Sequence, residues 1–155
     1  MNLALLQKSR RTPQTGDIFA MYPPDGKFLY GRVISTDAPG PMRTGCILVY
    51  VYSVRSAMKI PAPTLLREQL LIPPVMTNRL PWSRGYFEHI ENRSLLDTDR
   101  LAQHCFRDTR GWYFDEYGSR LQTATAPVGS WGLGSFRTID DGISKALGIP
   151  LSTDG

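Results

Sequence analysis

The run Cys46-Ile47-Leu48-Val49-Tyr50-Val51-Tyr52 is the stretch that decides the fold. All seven side chains are apolar or aromatic, and many are of the β-branched and aromatic types that favour strands. Because neither face of such a strand would be polar, the run predicts a central strand buried on both faces. Breaker clusters bound it, at residues 37–41 before it and at residues 61–63 after it. The chain is therefore expected to be built around a sheet.

Further strand signals lie on both sides of this run. Ile18–Tyr22 and Phe28–Ile34 are aromatic and β-branched, and Pro23-Pro24-Asp25-Gly26 between them supplies good turn residues. This pattern predicts a β-hairpin. Downstream, Gly85–Ile90 and Gly111–Tyr117 are aromatic-rich segments bounded by glycine or polar residues, and each predicts a strand.

Helical signals are few. Thr64 could cap a short helical turn over Leu65–Leu71 that ends at Pro73-Pro74, although a strand is the alternative there. Near the end of the chain, Thr138 and Asp141 resemble a capping box. A C-terminal helix is predicted from an apolar face and a following stop signal: Ile139, Ile143, Leu147, then Gly148 and Pro150.

Strands without long intervening helices predict a mainly β (α+β) fold. The expected architecture is an antiparallel sheet or a partly open barrel with a short C-terminal helix. A length of 155 residues fits one domain. We expect a flexible basic arm at residues 1–12, a single domain at residues 13–150 and a tail at residues 151–155.

The net charge of +4 is unevenly distributed. Lys8, Arg10 and Arg11, with no acid among the first twelve residues, place +3 of it in the arm. The rest of the chain is nearly neutral, and its acidic and basic residues are interspersed. A nucleic-acid-binding protein would be expected to cluster its basic residues on one face, so this pattern argues against that class.

Membrane and secreted classes are not expected. No apolar run approaches the roughly 18–20 residues that span a bilayer. The first eight residues place apolar side chains before the positive charge, which is the reverse of a secretory signal, so a cytoplasmic location is predicted. Cys46 and Cys105 do not form a dense disulfide framework, and we expect both to be reduced thiols.

Catalytic and metal-binding patterns are weak. His104 and Cys105 are adjacent, so on a strand their side chains point to opposite faces and cannot act as a base and nucleophile pair. Ligands at the paired spacings of a zinc site are missing. The glycine-rich run Gly129–Gly134 lacks the lysine of a phosphate-binding loop and predicts a loop or bulged edge. No enzyme activity, cofactor or metal is predicted, although a hydrolytic pair of carboxylates is a minor alternative.

Aromatic side chains and arginines interleave between residues 79 and 131. Tryptophan, tyrosine and arginine are enriched in protein interfaces, so a subset at the surface could bind a partner, while most of the rings are expected in the core. The set comprises Arg79, Trp82, Arg84, Tyr86, Phe87, Arg93, Arg107, Arg110, Trp112, Tyr113, Phe114, Tyr117, Arg120 and Trp131.

The order of short sequence blocks resembles the immunity protein 26 family of bacterial polymorphic-toxin and contact-dependent growth inhibition systems. The resemblance covers roughly residues 13–120. The blocks are Gly16–Ala20, Tyr30–Ile34, Leu48–Tyr52, Leu71–Asn78, Pro81-Trp82, Gly85–Phe87, His104–Phe106, Tyr113 and Asp115–Gly118.

This resemblance implies that the chain has a mostly β fold and no enzymatic activity. It also implies that the protein binds and neutralises a cognate toxin domain. Many such toxins are nucleases with basic active sites, which a local acidic patch could block. No toxin contacts carry over from the family. Our candidates for toxin binding come from the acidic pairs and from the arginine and tryptophan set: Asp97, Asp99, Arg110, Asp115, Glu116, Trp131, Asp140 and Asp141.

A small β-barrel that binds single-stranded nucleic acid is the alternative function. The basic arm would contact phosphates, and aromatic side chains on strands could stack on bases. Such binding would weaken steeply with salt. Membrane partners are not expected, and the oligomeric state is left open by the sequence.

Overall fold

The computed structural model of the protein describes residues 1–43 and 45–153, and its strands form two sheets. The first sheet contains β1 (Asp17–Met21), β2 (Phe28–Ala38), β3 (Cys46–Ser56), β4 (Leu70–Thr77) and β5 (Glu88–Asn92). The second contains β6 (Cys105–Arg107), β7 (Tyr113–Phe114), β8 (Arg120–Leu121) and β9 (Val128–Ser130). Two helices, α1 (Leu80–Ser83) and α2 (Phe136–Leu147), and a 3₁₀ turn (Asp97–Asp99) complete the described structure.

The strand order confirms the mainly β prediction. The first sheet is antiparallel throughout, in the order β4–β3–β2–β1–β5. The second has the order β8–β7–β6–β9 and is mixed, because β6 and β9 run parallel. Neither sheet closes on itself. Among the described residues, the longest helix has only 12 residues, and no helix could cross a membrane.

Strand β3 occupies the centre of the first sheet, as predicted. It pairs with β2 on one side and with β4 on the other. Side chains alternate between faces along a strand. Ile47, Val49 and Val51 therefore enter one core, while Leu48 and Tyr50 enter a second core on the opposite face of the sheet.

The predicted hairpin is also confirmed, as β1 paired with β2. Phe19 lies opposite Gly31, and a Cβ at Gly31 would collide with the Phe19 ring. Glycine is thus required here by close approach. The Phe19 ring stacks on Phe87 at a centroid distance of 4.3 Å and meets the edge of Trp82 at 5.2 Å, forming the aromatic centre of the first core.

Of the two predicted helices, the one near residue 65 does not form and the C-terminal one is confirmed. Leu65–Leu71 contains no helix, and the strand β4 begins at Leu70 and continues through Pro73 and Pro74. Proline is tolerated because β4 is an edge strand, where one side of the strand forms no ladder hydrogen bonds. The C-terminal helix is confirmed, but it begins earlier than the predicted capping box, because the Ser135 side chain caps it by accepting from the Thr138 N–H.

The other two predicted strands form only in part. The segment predicted at Gly85–Ile90 becomes β5, which starts three residues later, at Glu88. The segment predicted at Gly111–Tyr117 contributes only Tyr113–Phe114, because a loop and a tight turn take up its ends. Cys46 and Cys105 are both buried free thiols.

The N-terminal segment lies against the domain. The Leu3 side chain is part of the first core. The backbone N–H groups of Asn2 and Leu3 donate to the carboxylate of Asp140 on α2, and the Leu6 N–H donates to the Gly85 carbonyl at 2.8 Å. Residues 2, 3 and 6 therefore contact the domain through buried apolar surface and hydrogen bonds, while the flexibility expected for residues 1–12 stays a prediction.

Candidate functional site

An exposed tryptophan is sandwiched between two arginines in the second sheet. The guanidinium carbon of Arg110 lies 3.9 Å from the Trp112 ring centroid, and that of Arg120 lies 3.8 Å from it. Two guanidinium groups this close to one centroid would overlap if they shared a face, so they cover opposite faces of the ring. Trp112 nevertheless remains 39% exposed. We call Arg107, Arg110, Trp112 and Arg120 the Arg–Trp patch.

Strand register brings part of this patch together. Phe114 pairs with Arg120 across β7 and β8. Trp112 lies just before β7, and the stacking of Arg120 on its ring places both side chains on the same side of the hairpin. Arg107 ends β6, and its guanidinium lies beside Gly111.

The loop from Asp108 to Trp112 fixes the other arginine. The Asp108 carboxylate accepts from the backbone N–H groups of Arg110 and Trp112 at 3.0 and 2.9 Å. It also accepts from the Arg110 guanidinium at 3.0 Å. Gly111 permits the turn, with a φ of 88° that other residues rarely adopt. The Arg–Trp patch is therefore held by backbone geometry as well as by side-chain stacking.

A second constellation joins the two sheets in the interior. The Tyr50 hydroxyl lies 2.6 Å from His104 Nε2, and His104 Nδ1 contacts the Glu116 carboxylate. The Tyr50 hydroxyl also accepts from the Leu101 N–H at 2.9 Å. Burial raises the pKa of Tyr50 to about 12. Burial also favours the neutral form of Glu116, but the hydrogen bond and charge of His104 outweigh it and lower the pKa of that carboxyl group.

A series of hydrogen-bonded side chains can relay a proton, but Tyr50, His104 and Glu116 are all buried. None of them lines either of the two cavities described for the protein. One cavity, of about 360 Å³, lies between β4, β9 and α2, and the other, of about 490 Å³, lies beside Arg79. Their only ionisable lining residues are Lys145 and Arg79. Of the side chains that commonly act as general acids or bases, only Lys145 lines these two cavities.

A third polar cluster surrounds Asp17 at the start of β1. Its buried carboxylate accepts from the Arg11 guanidinium, from Asn92 Nδ2 at 2.8 Å and from the Gln14 N–H at 2.8 Å. Burial alone would raise the pKa of Asp17, but these donors lower it overall. His89 lies beside the pair, and burial lowers the pKa of its ring. In the part of the chain that the structure describes, no group of three or more potential ligands is arranged to hold a metal ion.

Three of the predicted toxin-binding acids have internal partners. Asp140 is 1% exposed and binds the N-terminal backbone, while Glu116 binds His104. Asp99 accepts from the Leu96 N–H at 2.8 Å and lies 3.5 Å from the buried Arg32 guanidinium. The structure does not gather these three carboxylates into one surface.

The remaining predicted residues are closer to solvent but scattered. Asp97 is exposed on the 3₁₀ turn, and Asp141 is half-buried on α2. Asp115 accepts from the backbone N–H groups of Tyr117 and Ser119, so it shapes the turn between β7 and β8. Trp131 is half-buried with its ring 5.2 Å from Phe114.

Of the eight predicted residues, only Arg110 belongs to the Arg–Trp patch. The interleaving of aromatic residues and arginines pointed to this region, but not to the pairing of Trp112 with Arg120. That pairing depends on the β7–β8 register, for which two-residue strands leave almost no periodic signal.

Comparison with known proteins adds the family. Residues 14–112 match the model of immunity protein 26, which covers more than half of the chain. No curated protein and no solved structure matches the chain. The matched region contains the whole first sheet and ends at Trp112. The chain therefore belongs to the immunity protein 26 family.

Proposed function

We propose that this chain is a non-enzymatic antitoxin that binds one cognate toxin domain in the bacterial cytoplasm and neutralises it. The toxin would come from a contact-dependent growth inhibition system or a related polymorphic-toxin system, and a nuclease is one toxin class to be tested. The observation that carries the proposal is membership of the immunity protein 26 family across residues 14–112. Immunity families of this kind are generally non-enzymatic.

The geometry of the Arg–Trp patch supports protein binding rather than nucleic-acid binding. Proteins that bind single strands stack bases on the free faces of aromatic rings. Both faces of Trp112 are already covered by arginines. A combination of arginine and tryptophan at an exposed, rigid site is instead typical of protein interfaces.

Co-expression tests this function. The toxin domain encoded beside this gene should arrest bacterial growth when expressed alone, and co-expression of this chain should restore growth. The purified chain should also form a complex with that domain. A non-cognate toxin of the same class is the control and should remain active. Continued growth arrest, or purified components that do not associate, would overturn the proposal.

A further inference from the structure

We propose that the cognate toxin docks on the Arg–Trp patch through an acidic surface of its own. This inference rests on the proposed function and adds the location and the charge of the interface. The sequence predicts the opposite sign, an acidic patch on this chain. The distribution of unpaired charge around Trp112 favours a basic patch instead.

The patch presents guanidinium groups that have no carboxylate partner. Arg107 and Arg120 form no ion pair with any residue in the described ranges, whereas Arg110 is paired with Asp108. Asp115, on the same hairpin, accepts from backbone N–H groups of its own turn and forms no ion pair with a described arginine. The patch therefore carries net positive charge, and its electrostatic complement is an acidic surface.

Arginine chemistry fits this kind of partner. A guanidinium group offers five N–H donors in a planar fork and can bind a carboxylate through two parallel hydrogen bonds. Stacking on Trp112 holds Arg120 flat against the ring, so little side-chain freedom remains to be lost on binding. The exposed edge of Trp112 adds apolar area between the charged groups.

The patch is also rigid before any partner arrives. Asp108 fixes the loop through its hydrogen bonds to the backbone of Arg110 and Trp112. The register of β7 and β8 fixes Arg120. Binding at a preorganised site avoids the cost of ordering a loop, which suits an inhibitor that must hold its toxin at low free concentration.

Calorimetric titration tests the site. The full chain is titrated with a catalytically inactive form of the toxin domain encoded beside its gene. Arg120→Glu should weaken binding by about tenfold or more, and Trp112→Ala by a similar factor, as expected for residues at an interface centre. Raising the salt concentration should weaken wild-type binding more than binding of Arg120→Glu.

Lys27→Glu is the matched control because it makes the same change in charge on an exposed residue. Lys27 lies just before the start of β2, far from the second sheet. The opposite end of β2 is the one near that sheet, because the N–H of Gly40, just beyond it, donates to the Glu116 carbonyl. The 11 residues of β2 separate these ends by about 35 Å. Lys27→Glu should therefore bind the toxin domain like the wild type.

The outcomes separate the two proposals. Wild-type chain that does not bind the toxin domain would overturn the proposed function. If the wild type binds the toxin domain and Arg120→Glu and Lys27→Glu bind it with the same affinity, the docking site is overturned and the proposed function is not. Binding of a single-stranded oligonucleotide that Arg120→Glu abolishes, with toxin binding intact, would also overturn the site. Circular dichroism checks the folding of each variant, and Arg107→Glu replaces Arg120→Glu or Trp112→Ala if one of these does not fold.

Discussion

Replacing Asp140 with alanine should loosen the N-terminal segment from the domain. The carboxylate of Asp140 is 1% exposed and accepts from two backbone donors, the Asn2 N–H at 3.0 and 3.1 Å and the Leu3 N–H at 2.7 Å. Alanine removes the acceptor for both. Because the Leu3 side chain is part of the first core, its N–H cannot easily turn to water without moving that side chain.

The expected magnitude follows from these two donors. A hydrogen bond to a charged group contributes about 1.5–3 kcal/mol. The Asn2 donor is only partly buried and counts for less. We therefore expect Asp140→Ala to lower the free energy of unfolding by roughly 2–4 kcal/mol. For a protein of this size, that corresponds to a decrease in Tm of roughly 4–15 °C.

Urea denaturation and amide hydrogen exchange measure the effect. Asp141→Ala is the matched control, since it removes the neighbouring carboxylate, which forms no hydrogen bond with a described residue, and it should change stability by no more than about 0.5 kcal/mol. The amide of Leu3 should lose protection in Asp140→Ala and keep it in Asp141→Ala. In a chain that lacks residues 1–3, Asp140→Ala should have little further effect, because the donors are already gone.

Equal stability of the two single variants would refute this account of Asp140. The account would also be refuted if Asp140→Ala lowered the free energy of unfolding as much in the shortened chain as in the full chain. The carboxylate would then act through some other contact. If Asp140→Ala instead left stability unchanged and weakened toxin binding, the surface role predicted from the sequence would be correct.

Two further predictions concern the sheet and the interior network. Gly31→Ala should destabilise the protein by about 1–3 kcal/mol in urea denaturation, because its Cβ would collide with the Phe19 ring and lie 2.9 Å from the Tyr50 carbonyl oxygen; Gly132→Ala, with open space around it, should be nearly neutral. Glu116→Gln should cost about 1–3 kcal/mol at neutral pH. The folded-state pKa of Glu116 is lowered, so its stabilisation is present above the usual value of 4.5 and is lost as pH falls through the folded-state pKa. The stability difference between wild type and Glu116→Gln should therefore shrink on acidification, and a constant difference would contradict the lowered pKa of Glu116.

Much of the first sheet could be predicted because its strands are long and strongly patterned. Ile47, Val49 and Val51 alternate with leucine and tyrosine along β3, and burial on both faces accounts for the apolar or aromatic side chain at every position from Cys46 to Tyr52. The ambiguity at Leu65–Leu71 had a different origin. Proline ends a helix and weakens a strand, and only the edge position of β4 explains why Pro73 and Pro74 fit there.

The candidate site was harder to predict because surface roles depend on distant partners. Asp140 looks like a solvated acid in the sequence, and it becomes a buried acceptor only because residues almost 140 positions away reach it. Glu116 and His104 lie 12 residues apart and meet with Tyr50, which belongs to the other sheet. No local pattern records such contacts.

The sequence by itself determined the β-rich class, the central strand Cys46–Tyr52, the hairpin before it and the C-terminal helix, because hydrophobic periodicity and turn chemistry act over a few residues. Its ordered blocks also indicated the immunity family. Only the tertiary structure decided which charges are free. In the folded chain Asp140 and Glu116 are buried with internal partners, while Arg110 and Arg120 stack on the exposed Trp112. Which charges a partner can reach depends on these long-range contacts, because the fold pairs some charged side chains internally and leaves others at the surface.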